Sequence, residues 1–184
     1  MTTTATTAVQ TKNWVIDPLH SEIQFKIKHL VISTVTGFFK SFSGNAVSNG
    51  DDFENAVIEF SADVDSIDTN QAQRDAHLKN SDFFEAELYP QITFKSTAFT
   101  KLNESEYQLI GNLTMKGVTR EIELSAEYGG SEKDQFKNVK HGFEVTGTIN
   151  RKDFGMVYNA ITETGGLALG EKIKLVANIQ IAQA

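Results

Sequence analysis

Apolar and polar residues alternate along most of the chain. Between Ser21 and Lys28, Ile23, Phe25 and Ile27 face one way, and Glu22, Gln24, Lys26 and Lys28 face the other. A period of two with one wet face is the pattern of a half-buried β-strand. It returns at 56–64, with Ile58, Phe60, Ala62 and Val64 inward, and at 91–99, with Ile92, Phe94 and Ala98 inward. Tyr107, Leu109, Gly111, Leu113 and Met115 make the next inner face, and 121–128 alternates most regularly of all. His141, Phe143, Val145, Gly147 and Ile149 form another, and Ile173, Leu175, Ala177, Ile179 and Ile181 close the series. The stretch 35–47 adds one more strand, in which Gly37 and Gly44 mark bends or a bulge. Turn signals at Asn49-Gly50, Lys116-Gly117, Gly129-Gly130 and Gly165-Gly166 separate the runs.

About eight antiparallel strands with one apolar face each predict an all-β sandwich or closed barrel. The barrel is preferred, because Phe, Ile and Leu recur on one face of nearly every strand and the strands are long. A run such as 171–182 spans roughly 40 Å, and at a tilt near ~40° it builds a wall about 30 Å tall. One short helix interrupts the pattern over 70–80, with Thr69 as its N-cap and Ala72, Ala76 and Leu78 as packing positions. Phe83, Phe84, Leu88 and Tyr89 follow, ending at Pro90, and read as a cap over one end of the barrel. A second irregular stretch, 151–170, is loosened by its glycines.

Composition sharpens this picture. Thirteen Phe stand beside 4 Tyr and 1 Trp, and phenylalanine has no polar handle, so the interior is large and dry. Whether these rings fill the barrel or line a space inside it is open at this point. With 17 basic and 24 acidic residues the net charge is −7, which argues against a nucleic-acid partner. There is no cysteine, so disulfides, thiolate metal sites and cysteine nucleophiles are excluded. No segment approaches the ~18 consecutive apolar residues of a membrane span. Residues 1–12 read as a disordered tail and 13–184 as a single domain. The Thr-rich start lacks the basic and apolar parts of a secretory signal. The expected location is therefore cytoplasmic, or periplasmic if a leader has been removed.

A set of short motifs, weak singly, occurs in order. Trp14-Val15-Ile16-Asp17-Pro18-Leu19-His20-Ser21 opens it, with Phe25 and Lys28-His29-Leu30 behind. Gly37-Phe38-Phe39-Lys40-Ser41-Phe42-Ser43-Gly44 comes next, then Asp65-Ser66-Ile67-Asp68-Thr69, Arg74-Asp75-Ala76-His77-Leu78 and Asp82-Phe83-Phe84. Tyr89 to Phe94, Gly111 to Arg120 and Asn150 to Gly155 complete it. Together they resemble the YceI-like family of lipid-binding proteins. The resemblance implies an extended, eight-stranded lipocalin-like antiparallel barrel, capped at one end by the short helix. It also implies a non-enzymatic function: binding, storage or transport of a polyisoprenoid, such as a quinone or polyprenyl chain, or a similar amphiphile. No obligatory cofactor is implied beyond that bound lipid, and the resemblance favours an open cavity over a filled core.

On this reading the ligand-binding residues are Phe25, Ile27, Phe39, Phe42, Phe60, Phe83, Phe84, Ile92, Phe94, Leu113, Met115, Phe143, Val145, Phe154, Met156, Leu175 and Ile179. Arg74, His77 and Arg151 are candidate headgroup contacts, weighed against ordinary surface pairing with carboxylates. At about 0.8 kcal/mol per buried carbon, each five-carbon unit contributes roughly 4 kcal/mol gross, so release is harder to arrange than capture. Two rival readings are an enzyme using His77, Arg74 or a metal on a barrel-bound lipid, and a filled barrel acting as an interaction module. His20, His29, His77 and His141 show no metal-ligand spacing and read as hydrogen-bonding residues. Asp17, His20 and Ser21 carry the residue types of a hydrolytic triad, but adjacent strand residues point to opposite faces and no GxSxG elbow is present. Exposed Phe and Val segments leave a homodimer open.

Overall fold

The computed structural model describes residues 10–163 and 165–184; of the segment read as a tail, residues 1–9 lie outside it. The strands are β1 (Thr11–Ile16), β2 (Glu22–His29), β3 (Ser33–Phe39), β4 (Phe42–Asn49), β5 (Asp52–Asp63) and β6 (Ile67–Asp68). They continue as β7 (Gln91–Lys101), β8 (Glu106–Met115), β9 (Val118–Lys133), β10 (Val139–Asn150) and β11 (Leu169–Gln183), with one helix, α1 (Ala72–Leu78). Because β1 starts at Thr11, the fold reaches into the stretch expected to be tail.

All neighbours pair antiparallel in one 11-stranded sheet, ordered β1-β4-β5-β7-β8-β9-β10-β11-β2-β3-β6 and closed by a further β1–β11 pairing. The result is an eight-stranded barrel with extra strands, because three of its staves are broken, one of them β5, whose short continuation β6 pairs with β3 as β5 pairs with β4. The predicted strand 35–47 is in fact two, β3 and β4, parted at Lys40-Ser41. Its counterpart is the pair β1 and β2, which share the edge of β11: Ile181 to Gln183 meet β1, and residues 169–178 meet β2. The break therefore lies between the glycines thought to mark it. Gly37 sits within β3 opposite Phe25, and a Cβ there would fall 2.2 Å from the Phe25 ring. Gly111 does the same for Phe94, at 2.4 Å. Both glycines make room for a phenylalanine lying across the inner surface.

The inner faces of β8, of β9 up to Tyr128, of β10 and of β11 from Ile173 onward follow the period of two, with register irregularities at Gly129 and between Leu169 and Ile173. β7 departs from it. Its register shifts between Ser96 and Ala98, so the strand changes phase: Phe99, not Ala98, joins the interior, and Ser96 Oγ accepts the Ile58 amide at 2.8 Å. A single bulged residue reverses every side chain beyond it.

The two ends of the barrel differ. One is plugged by Trp14, which is fully buried and donates from Nε1 to Ser48 Oγ at 2.7 Å. Its ring stands edge-on to His141 at 4.7 Å and tilted to Phe53 at 5.5 Å. Outside this plug, Asp17 receives Lys140 at 2.8 Å and His20 at 2.9 Å, which hold its carboxyl well below the usual range. The other end is covered by α1, the segment 80–90 and the segment 151–169. Here α1 is capped by the Gln71 side chain rather than by Thr69, and Ala72 and Ala76 are exposed, leaving Leu78 as the residue that packs inward. Thr69 is buried instead. Its hydroxyl bonds Asp75 and accepts Arg74 Nε at 2.7 Å, so it fastens the helix from below. In the segment that follows, Phe83 and Phe84 are buried and Leu88 is exposed.

Candidate functional site, an apolar cavity inside the barrel

The interior is not filled. A cavity of about 460 Å³ lies between the inner faces, within the ~300–1,000 Å³ usual for ligand sites. Leu169, Ile173, Leu175, Ala177, Ile179 and Ile181 of β11 all line it, so it runs nearly the whole length of that strand. At ~3.3 Å per residue and a tilt near ~40°, this is roughly 30 Å along the barrel axis. The filled-core reading is corrected by this space. Near the plug, rings meet across the interior, Phe53 of β5 with Phe143 of β10 at 5.2 Å; further along, the closed sheet holds the staves apart.

Of the residues expected to meet a ligand, the cavity wall includes all except Phe42 and Phe154. Phe42 stacks on Phe60 at 6.3 Å and packs against the core without lining the cavity. Phe154 is buried in the 3₁₀ turn Arg151–Phe154 that follows β10, and it anchors that turn. Sequence reasoning missed Phe53, Phe99 and Tyr158. Phe99 was hidden by the β7 bulge. Phe53 stands before Asn55, whose positive φ of 62° interrupts the alternation of β5. Tyr158 lies in an irregular segment without a period to read.

Polar groups gather at the end opposite Trp14. His77 Nε2 meets Asp82 Oδ2 at 2.8 Å, and its ring stands edge-on to Phe83 at 5.1 Å and to Tyr158 at 5.0 Å. Arg74 does not pair with a carboxylate, the surface role weighed for it; its Nη2 donates to the Thr69 carbonyl at 2.7 Å. Arg74, His77 and Tyr158 all border the cavity, and this is its mouth.

Arg151 behaves differently from the strand-end surface residue that its position implied. It is 1% exposed. Its Nε donates to the Gly170 carbonyl at 2.9 Å, and its Nη1 donates to the carbonyls of Met156 and Tyr158 at 2.6 and 2.8 Å. Burial lowers its pKa, and Nη2 is enclosed without an acceptor. A planar guanidinium can bind several carbonyls at once, which suits it to this work. Arg151 therefore ties the 156–158 segment to the start of β11 and sets where Tyr158 stands.

The other candidate groups do not converge. Ser21 Oγ accepts the Gln180 amide at 2.9 Å and has no contact with His20. His141 is buried in the plug, where Tyr128 Oη meets its Nδ1 at 2.9 Å and burial lowers its pKa. No group of three metal-ligating side chains occurs among the described residues. Arg120 donates to the Asp153 carbonyl at 3.1 Å, and Lys152 pairs with Glu171 at 2.5 Å.

Known proteins resemble this chain in sequence or in fold. UPF0312 protein SERP2314 of Staphylococcus epidermidis is 38% identical over 167 residues, covering 90% of this chain and 95% of that protein. The crystal structure of the Campylobacter jejuni YCEI protein superposes with a TM-score of 0.74 at 32% identity, covering 86% of this chain and 91% of the other. A polyisoprenoid binding domain from Saccharophagus degradans, implicated in plant cell wall breakdown, superposes with a TM-score of 0.70 over 93% of this chain and 98% of that one. At 13% identity, that likeness is one of fold. The YceI-like domain profile matches residues 14–181, from the plug tryptophan to the last inward residue of β11, and the chain belongs to the YceI-like family.

Proposed function

We infer that the protein is a non-enzymatic carrier or store for one long amphiphile, held with its chain in the barrel and its head at the mouth. The observation that carries this reading is the cavity itself: apolar, elongated, plugged at one end and bordered by polar groups at the other. The described residue types suit a branched hydrocarbon, since Phe, Ile, Leu and Met present irregular apolar surface. A polyisoprenoid quinone or polyprenyl lipid is the proposed occupant. Support comes also from the shared fold with the Saccharophagus degradans polyisoprenoid binding domain. Arg74, His77 and the Tyr158 hydroxyl are the proposed headgroup contacts, with Arg151 positioning Tyr158 through the backbone.

Mass spectrometry of an organic extract from gently purified protein tests the reading. A polyisoprenoid present at about one molecule per barrel, or taken up on incubation with a quinone or polyprenyl phosphate, is the expected result. Protein that emerges empty and takes up neither would overturn it.

A further inference from the structure

The mouth of the cavity carries a surface that lipid binding inside the barrel does not require. The β2–β3 hairpin ends in Leu30, Val31 and Ile32, of which Val31 is 83% and Ile32 85% exposed. Leu30 and Val31 both have positive φ, at 51° and 65°. A β-branched residue in the left-handed region is costly and persists where its surroundings impose it. Here the Leu30 amide is tied to the Ala168 carbonyl at 2.8 Å. The neighbouring loop, closed by a bridge between Ile161 and Leu167, exposes both of those side chains as well. Apolar side chains are thus held outward at the rim, beside Ala160, Ala168 and Leu169 of the cavity wall.

Directly behind this rim, on the outer wall, stand Lys26 and Lys28 of β2 and Lys172 and Lys174 of β11. Lys26 is the register partner of Lys174, a like-charge pair that weakens the free protein. Among the described residues none of the four has an ion pair. Their flanking register partners are neutral: Thr34 and Thr36 of β3, and Thr148 and Asn150 of β10. Nearby carboxylates are Glu171, already held by Lys152, and Glu163 on the exposed loop. By contrast Lys40 and Lys79, at the same end, meet Asp68 and Asp65. In a chain of net charge −7, a strip of unneutralised lysines beside an apolar rim calls for an anionic, apolar partner.

We propose that the protein docks on anionic bilayers through this rim, with the Leu30–Ile32 tip entering the headgroup boundary and the lysine strip against lipid phosphates. The cavity mouth then opens onto the membrane from which its lipid is drawn. A second copy fits the surface less well, because a two-fold contact over the rim brings the two strips of four lysines together with only Glu163 of each copy to offset them. The inference rests on the carrier reading for its purpose, but its test does not.

Sedimentation with vesicles of phosphatidylcholine containing ~30% phosphatidylglycerol, against phosphatidylcholine alone, is the experiment. The protein should co-sediment with the anionic vesicles only, and less as salt rises. Each lysine near such a surface contributes about a fivefold factor, so changing Lys26, Lys28, Lys172 and Lys174 together to Gln should weaken binding roughly 100-fold or more. Val31→Ser with Ile32→Ser should weaken it about tenfold or more through lost apolar burial. Both variants should keep the wild-type circular dichroism and the same extracted lipid, which separates failure to dock from failure to bind lipid. Wild-type protein left in the supernatant with anionic vesicles would overturn the proposal. So would a lysine variant that binds as well as wild type, or a solution dimer that Ile32→Ser converts to monomer.

Discussion

Ala177→Phe will block lipid uptake and leave the barrel standing. Ala177 faces inward from the middle of β11, between Leu175 and Ile179, with Val145 of β10 and Ile23 of β2 as its register partners. All of these residues line the cavity. A ring at this position projects into open space rather than into packed neighbours, so the overpacking penalty of about 1–3 kcal/mol is largely avoided. The obstruction cuts the cavity partway along its length. Every five-carbon unit kept out forfeits roughly 4 kcal/mol of gross burial, and excluding even one lowers affinity by about 100-fold or more. Asn178→Phe places the same ring on the outer face and should leave binding unchanged, since Asn178 is exposed. Quantifying extracted lipid from the three proteins checks this. Wild-type occupancy in Ala177→Phe, in protein of native circular dichroism, would show that the chain lies elsewhere.

Trp14→Ala will cost the fold more than any other single change considered. Trp14 is fully buried, and its strand closes the barrel by pairing with both β4 and β11. Truncation removes the ring that packs on His141 and Phe53 and opens a void at the plugged end. Trp→Ala changes of this kind cost about 3–5 kcal/mol. For a domain of this size the melting temperature should fall roughly 6–20 °C. Trp14→Phe keeps most of the packing but removes the donor to Ser48, and should cost about 1–2 kcal/mol. Urea unfolding with unchanged slope measures both. A loss below about 1 kcal/mol for Trp14→Ala would mean that β1 does not hold the barrel closed.

The two substitutions mark what the chain declares openly and what it conceals. Ala177 was legible because β11 alternates without interruption from Ile173 to Ile181, so its inner face can be counted off by twos there. The faces of β8, β9 and β10 are legible for the same reason. Phe99 was not, because a bulge at 96–98 costs one residue of phase and nothing in the local composition announces it. The break at Lys40-Ser41 was concealed by Gly37 and Gly44, whose role is room for a neighbouring side chain rather than a bend. The mouth was the least readable part. Arg74 and His77 sit on a helix and could be singled out by spacing. Tyr158 and the buried position of Arg151 depend on backbone carbonyls that only the folded chain brings together. Periodicity and strand length pointed to the barrel, and the resemblance of the short motifs favoured an open interior; the size of that interior and its two unlike ends emerge only once the staves are in place.

The electron density inside the barrel, in crystals of protein purified without detergent or organic solvent, tests the central claim most directly. The account predicts one continuous, elongated feature along the inner face of β11, from Tyr158 and His77 at the mouth towards Phe143. Its broader end should lie within hydrogen-bond reach of Arg74, His77 or the Tyr158 hydroxyl. A barrel whose inner side chains close the space, or one that stays open but empty after incubation with polyisoprenoid lipids, would contradict it.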